Sequence, residues 1–213
     1  FSILIAIPQL VAATIGRNIQ RLKFAVILVH TLVCVPLFIL GFTFTFILPE
    51  EQIGWKLYLI LFSLYGLGLG IVIPIWADFL NTVTLRESRG TFFGLSFALG
   101  GLGSFLGGII LKYILSSNIP FPQNFGTGFF IFCFSTVVAT LLYIGYRVNE
   151  NRNQRSKMSL KDFSTLTQSI IKGHKNFQKY ILSRIFCCAY LPAVSLYPVY
   201  CQQKFGFDIS EAG

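Results

Sequence analysis

Asp78 closes an apolar run, and four arginines stand in connectors beside such runs: Arg17 and Arg21 in one, Arg86 and Arg89 in another. At the centre of a bilayer a carboxylate costs about 2.5–3.5 kcal/mol, and less near the interface. Asp78 is therefore expected to take a cationic partner. The chemistry this pattern offers is electrostatic: a charge cluster that locks one conformation and opens in another. A static interfacial ion pair, worth little to stability, is the plainer alternative. Bond-making chemistry finds no support, and no enzymatic activity is expected. The sequence has no His-rich cluster, no Ser-His-Asp set and no paired carboxylates. Its five cysteines, at 34, 133, 187, 188 and 201, lack metal-ligand spacing. They read as reduced, buried small hydrophobes, and neither a metal nor a cofactor is expected.

The tyrosines could hold a ligand without reacting with it. Tyr190, Tyr197 and Tyr200 fall near one face of the last apolar run, and Tyr58, Tyr65 and Trp76 share a broad face of the third. An apolar cavity with a few phenol hydroxyls suits a moderately hydrophobic organic molecule. Aromatic residues also gather at membrane interfaces, which fits Tyr58, Trp76 and Tyr200. That leaves Tyr65, Tyr190 and Tyr197 as the candidate cavity residues. Gln9 and His30 lie inside runs and are expected to make hydrogen bonds between helices. Arg184 and Lys112 stand near run ends, where long basic side chains snorkel to the interface.

Six apolar runs must position these groups: 1–16, 24–48, 55–79, 91–115, 126–146 and 180–201. Charged residues are 12% of the chain, against about 25% in an ordinary soluble domain. A soluble core of this size could not hide so much apolar surface, so the solvent is read as a bilayer. A spanning helix needs about 20 apolar residues, and the last five runs are long enough. The chain opens inside the first run with no Met, so a piece of a longer protein is expected, with no signal peptide. The fold class is an all-α membrane protein of six transmembrane helices.

Net charge is +9, which in a soluble protein would raise nucleic-acid binding. Here the basic residues concentrate between runs. If every run spans, connectors 17–23, 80–90 and 147–179 share one side and carry thirteen Lys and Arg, while the other side has Lys56, Lys112 and Lys204. The positive-inside rule places the thirteen in the cytoplasm, where they would meet anionic lipid; no nucleic acid is expected. A multi-pass protein of the cell membrane follows. Within 147–179, Ser159 and Asp162 have capping-box spacing, and Phe163, Leu166, Ile170 and Ile171 recur at helical intervals. The pattern predicts either a short amphipathic helix on the membrane surface or a linker.

Ser96, Gly100, Ser104 and Gly108 fall every four residues, and Gly103 and Gly107 make a second row. In lipid, small residues let helix backbones approach closely, so these rows are expected to pack against neighbours, as are Gly66 and Gly70. Pro74 adds a kink site. Phosphate binding at Gly101–Gly103 or Gly66–Gly70 would need a strand before and a helix start after; both lie inside apolar runs.

Three stretches carry a resemblance: PQLVAATIGRNIQRLK, YGLGLGIVIPIWADFLNTVTLRESRGTFFGLSFALGGLGSFLGG and NFQKYILSRIF. Together they resemble the major facilitator superfamily, over the whole chain. Ala77-Asp78 followed by Arg86-Glu87-Ser88-Arg89-Gly90 is similar to the loop before that family's fifth helix. Gly94, Gly103 and Gly107 match the start of its antiporter glycine motif; Gly108 then replaces a proline, and Leu111 and Lys112 replace the closing glycines. The resemblance implies two six-helix halves joined by a cytoplasmic loop. Residues 1–146 would be most of the N-terminal half, 147–179 the central loop, and 180–213 the first helix of the C-terminal half. The runs would be the family's second to seventh helices, of which the fourth and seventh line the cavity. The implied activity is secondary transport of a small organic solute by alternating access, with proton-coupled efflux leading and nutrient or metabolite uptake by symport the alternative. A non-transporting membrane scaffold is the third reading.

Overall fold

Backbone polar groups in hydrocarbon must be satisfied within closed structures, and runs of this length select helices over barrel strands. The computed structural model describes residues 2–148, 159–188 and 191–206. Among them all regular structure is helical. Helix α1 is Ser2–Asn18, and α2 is Leu22–Phe42, continued by a π turn over Thr43–Ile47. Then come α3 (Glu51–Val83), α4 (Arg89–Leu115) and α5 (Gln123–Leu142), the last ending in a 3-10 turn at Tyr143–Gly145. Three shorter helices follow: α6 (Leu160–Gly173), α7 (Lys175–Cys188) and α8 (Leu191–Phe205).

Among the described residues, four helical stretches are long and apolar enough to cross a membrane: Leu22–Ile47, Glu51–Val83, Arg89–Leu115 and Gln123–Gly145. They match the second to fifth apolar runs. The first run forms the 17-residue α1. The sixth is shared by α7 and α8, which flank residues 189 and 190, outside the described set. Helix α3 has 33 residues, about 50 Å at 1.5 Å per residue, so its ends reach beyond a hydrocarbon layer of about 30 Å.

The packed bundle is α1, α2, α3 and α5. Helix α3 lies against α1 and α2, and α5 lies against α2. One cluster of buried side chains holds Val33, Cys34, Leu37, Leu40, Phe44, Leu61, Val72 and Cys133. A second, toward the far end of α3, holds Leu22, Val26, Ile75, Phe79 and Leu80. Glycines set the closest crossings. A Cβ on Gly70 would run into the Ile5 carbonyl of α1 and come within 3.1 Å of Pro8. A Cβ on Gly126 would come within 3.0 Å of the Gly41 carbonyl, where α5 crosses α2. Between α2 and α3, Leu48 takes the left-handed conformation (φ 53°) and bonds its N–H to the Thr43 carbonyl at 3.0 Å. A side chain there costs roughly 1–2 kcal/mol. The reversal turns the chain into Pro49 and on to the start of α3.

Beyond Phe92 and Phe93, which pack on the second cluster, helix α4 stands off the bundle. None of its residues is buried, and its main neighbour is α5. A Cβ on Gly100, Gly103, Gly107 or Gly108 would meet nothing within 4 Å, and Ser96 and Ser104 are exposed beside them. The small-residue rows thus have no packing partner among the described residues, while Gly66 and Gly70 of α3 are buried. The cysteines also divide: Cys34, Cys133 and Cys201 are buried, but Cys187 and Cys188 are exposed, which corrects the expectation that all five sit inside.

Ser159 caps α6, its hydroxyl accepting from the Asp162 N–H at 3.2 Å and donating to the Asp162 carboxylate at 2.7 Å. Phe163 and Ile171 are half-buried and Leu166 and Ile170 exposed. Leu160–Gly173 is therefore helical, as the capping-box spacing predicts.

Candidate functional site

The arrangement begins where α1 and α3 meet. Asp78 lies within the last two turns of α3, and Thr82 anchors that stretch by donating to the Asp78 carbonyl at 2.9 Å. The carboxylate faces α1: a Cβ on Gly16 would sit 4.0 Å from Asp78 Oδ2 and 3.8 Å from Ile75 Cγ1. A methyl there would be in ordinary contact with both, so this face of α1 has room for little more than a Cβ beside the carboxylate. Arg17 follows Gly16 near the end of α1; its side chain lies outside the described residues.

Arg89 opens α4, and its Nη2 donates to the Asn81 carbonyl of α3 at 3.2 Å. A cation on the last carbonyls of a helix suits the dipole there. The Arg89 Nε is buried and has no hydrogen-bond partner among the described residues. Arg86 and Arg21 are exposed on the same end of the bundle. So the structure brings Asp78 to the Gly16 end of α1 and ties Arg89 to α3, while Arg86 and Arg21 are exposed.

The shared end extends to α5. Lys23 at the start of α2 donates to the carbonyls of Ile144 (2.6 Å) and Tyr146 (3.0 Å), closing the end of α5. Phe79, fully buried, packs edge-on against Tyr143 and Tyr146 with ring centroids 5.5 and 5.6 Å away. Trp76 Nε1 donates to the Tyr143 hydroxyl at 3.2 Å. The start of α2, the last turns of α3 and the end of α5 therefore meet at this end of the bundle. His30 shares a 2.8 Å hydrogen bond with the Val26 carbonyl through Nδ1 and packs edge-on against Tyr143. Its bond is made within α2, not to a neighbouring helix as expected.

Of the three candidate cavity tyrosines, Tyr65 is half-buried in α3 and packs edge-on against Phe132 of α5, centroids 5.8 Å apart. Tyr197 is exposed on α8, and Tyr190 lies outside the described residues. Trp55, Tyr58, Phe62 and Tyr65 form a ladder of ring contacts up α3, with centroids 5.6, 5.2 and 5.9 Å apart in turn. At the foot of that ladder lies a pocket of about 690 Å³, at the end of the bundle opposite Asp78. Its walls include Phe44, Glu51, Trp55, Tyr58, Phe121, Phe125 and Phe129. Sequence reasoning assigned Tyr58 to an interfacial belt and missed the pocket. The available signal was the recurrence of rings at positions 55, 58, 62 and 65, which falls on one face of a helix.

A family model described as Major Facilitator Superfamily matches residues 1–213. No curated protein and no solved structure matches the chain.

Proposed function

The chain belongs to the major facilitator superfamily and is an integral membrane transporter, and from that premise we propose that it moves a small organic solute by alternating access, expelling it in exchange for protons. The observation that carries the mechanism is the Asp78–Gly16 approach. A carboxylate held between two helices, with arginines on its own end of the bundle, can latch one state and release in the other. Asp78, Arg17, Arg21, Arg86 and Arg89 are the gating residues of this proposal. Tyr65, Tyr190 and Tyr197 line the solute route. The small residues of α4 (Ser96, Gly100, Gly103, Ser104, Gly107, Gly108) pack against a helix that comes and goes with the cycle; their open face in this chain supports that role. Residues 1–146 correspond to the second to sixth helices of the family, 147–179 to the central loop, and 180–213 to the seventh helix. The concentration of Lys and Arg on the Asp78 end supports a cytoplasmic placement in the cell membrane, with anionic lipid around it.

Gly108, Leu111 and Lys112 break the antiporter glycine motif and favour a second reading, uptake of a nutrient or metabolite by symport. Vesicles separate the two. In inside-out vesicles with an acid interior, exchange predicts solute accumulation with loss of interior acidity. Symport predicts accumulation only in right-side-out vesicles with acid outside. Accumulation in neither preparation, across a panel of organic solutes, would sink both.

A further inference from the structure

We propose that the pocket at the foot of α3 is a binding site for an organic cation, specifically an aromatic or alkyl quaternary ammonium. The pocket holds about 690 Å³, within the range that encloses a drug-sized molecule. Aromatic rings make up most of its wall. Trp55 and Tyr58 come from the first turns of α3, Phe121 from the connector before α5, and Phe125 and Phe129 from α5. The rings support one another: Trp55 and Tyr58 have centroids 5.6 Å apart, and Phe121 meets Phe125 edge-on at 5.8 Å. Glu51 is the one charged residue of the wall among the described residues. Ring faces attract a cation through their quadrupole, and a carboxylate adds a full opposite charge. Glu51 stands at the exposed rim of the pocket, where its carboxylate attracts an ammonium and offers a neutral apolar ligand nothing. The two features together select positive charge on an apolar body.

Asp78 lies 27 positions along α3 from Glu51, roughly 40 Å at the helical rise, so this site is separate from the charge cluster. The ring ladder from Trp55 through Phe62 to Tyr65 leads inward from the pocket. A cation bound here is thus held at the entrance of an aromatic path into the bundle. The site does not depend on the direction or coupling of transport, because it is read by equilibrium binding and not by flux.

The experiment is equilibrium dialysis of radiolabelled phenyltrimethylammonium against the full chain in nanodiscs, with tert-butylbenzene, its uncharged isostere, as competitor. The expected result is saturable binding that excess unlabelled cation displaces and tert-butylbenzene does not. Glu51→Gln weakens the cation about threefold; Glu51 is exposed at the first turn of its helix, so the fold should survive, and an unchanged melting temperature checks that. Trp55→Leu, which keeps apolar bulk and removes the ring, also weakens it, and Glu51→Asp retains most of the affinity. Non-saturable uptake, equal displacement by tert-butylbenzene, or undiminished binding in Glu51→Gln would each overturn the proposal.

Discussion

Gly16 and Asp78 are the pair on which the gating argument turns, and each can be changed separately. A Cβ on Gly16 would be in ordinary contact with Ile75 and the Asp78 carboxylate, so Gly16→Ala should leave folding and transport near normal. Gly16→Leu puts its branches where the carboxylate lies and should slow transport strongly while the protein still reaches the membrane. Asp78→Asn keeps the shape and removes the charge. It should slow transport without loss of expression, and unchanged rates in a vesicle assay would remove Asp78 from the mechanism. Tyr65→Phe combined with Tyr197→Phe should weaken solute affinity, and unaltered affinity would count against both as cavity residues. Asp78 was legible in the sequence because a carboxylate at the end of an apolar run is costly and so conspicuous. That it faces Gly16 was not legible, since helix rotation and crossing depend on contacts far apart in the chain. His30 shows the same limit from the other side. Its need for a hydrogen bond was predictable, but the partner turned out to be the Val26 carbonyl one turn back in its own helix.

Among the elements, the glycines of α3, α5 and α4 have opposite consequences despite similar sequence settings. Gly126→Ala drives a methyl into Thr45 and the Gly41 carbonyl, and overpacking of this kind costs about 1–3 kcal/mol. Gly70→Ala meets the Ile5 carbonyl and should be at least as damaging. Both should lower the melting temperature in detergent. Gly103→Ala meets nothing within 4 Å and should gain about 0.5–1 kcal/mol of helix propensity. If Gly103→Ala melts normally yet transports poorly, the glycine row of α4 serves a moving contact; if transport is also normal, it serves none. Small-residue spacing in a sequence marks where a backbone could be approached, but not which neighbour arrives, so the α4 rows were expected to pack against neighbours while Gly41 with Gly126 went unnoticed. Helix α6 was more legible because its cap is local. Ser159 and Asp162 satisfy each other over three residues. Ser159→Ala should cost about 1 kcal/mol of helix stability, measurable as faster amide exchange over 160–165.

For the molecule as a whole, the two ends of the bundle carry different chemistry. One gathers Asp78, Arg89, Lys23 and the exposed arginines; the other carries Glu51 and the aromatic pocket. The alternation of basic connectors made this polarity readable from sequence, because each helix crossing flips the chain and each connector lands on a definite side. The side-specific placement is testable by labelling: a cysteine replacing Arg86 should react only with reagent supplied from the cytoplasm, and one replacing Lys56 only from outside. Family membership makes the protein a transporter, and alternating access is the central claim about how it works. Counterflow tests it most directly. Reconstituted vesicles are loaded with unlabelled solute, diluted, and given a trace of labelled solute outside. A carrier whose site faces one side at a time must draw labelled solute in above its final level before it declines. The overshoot is the predicted result, and it should be slowed in Asp78→Asn. A monotonic rise to equilibrium, with no overshoot at any internal load, would contradict the account.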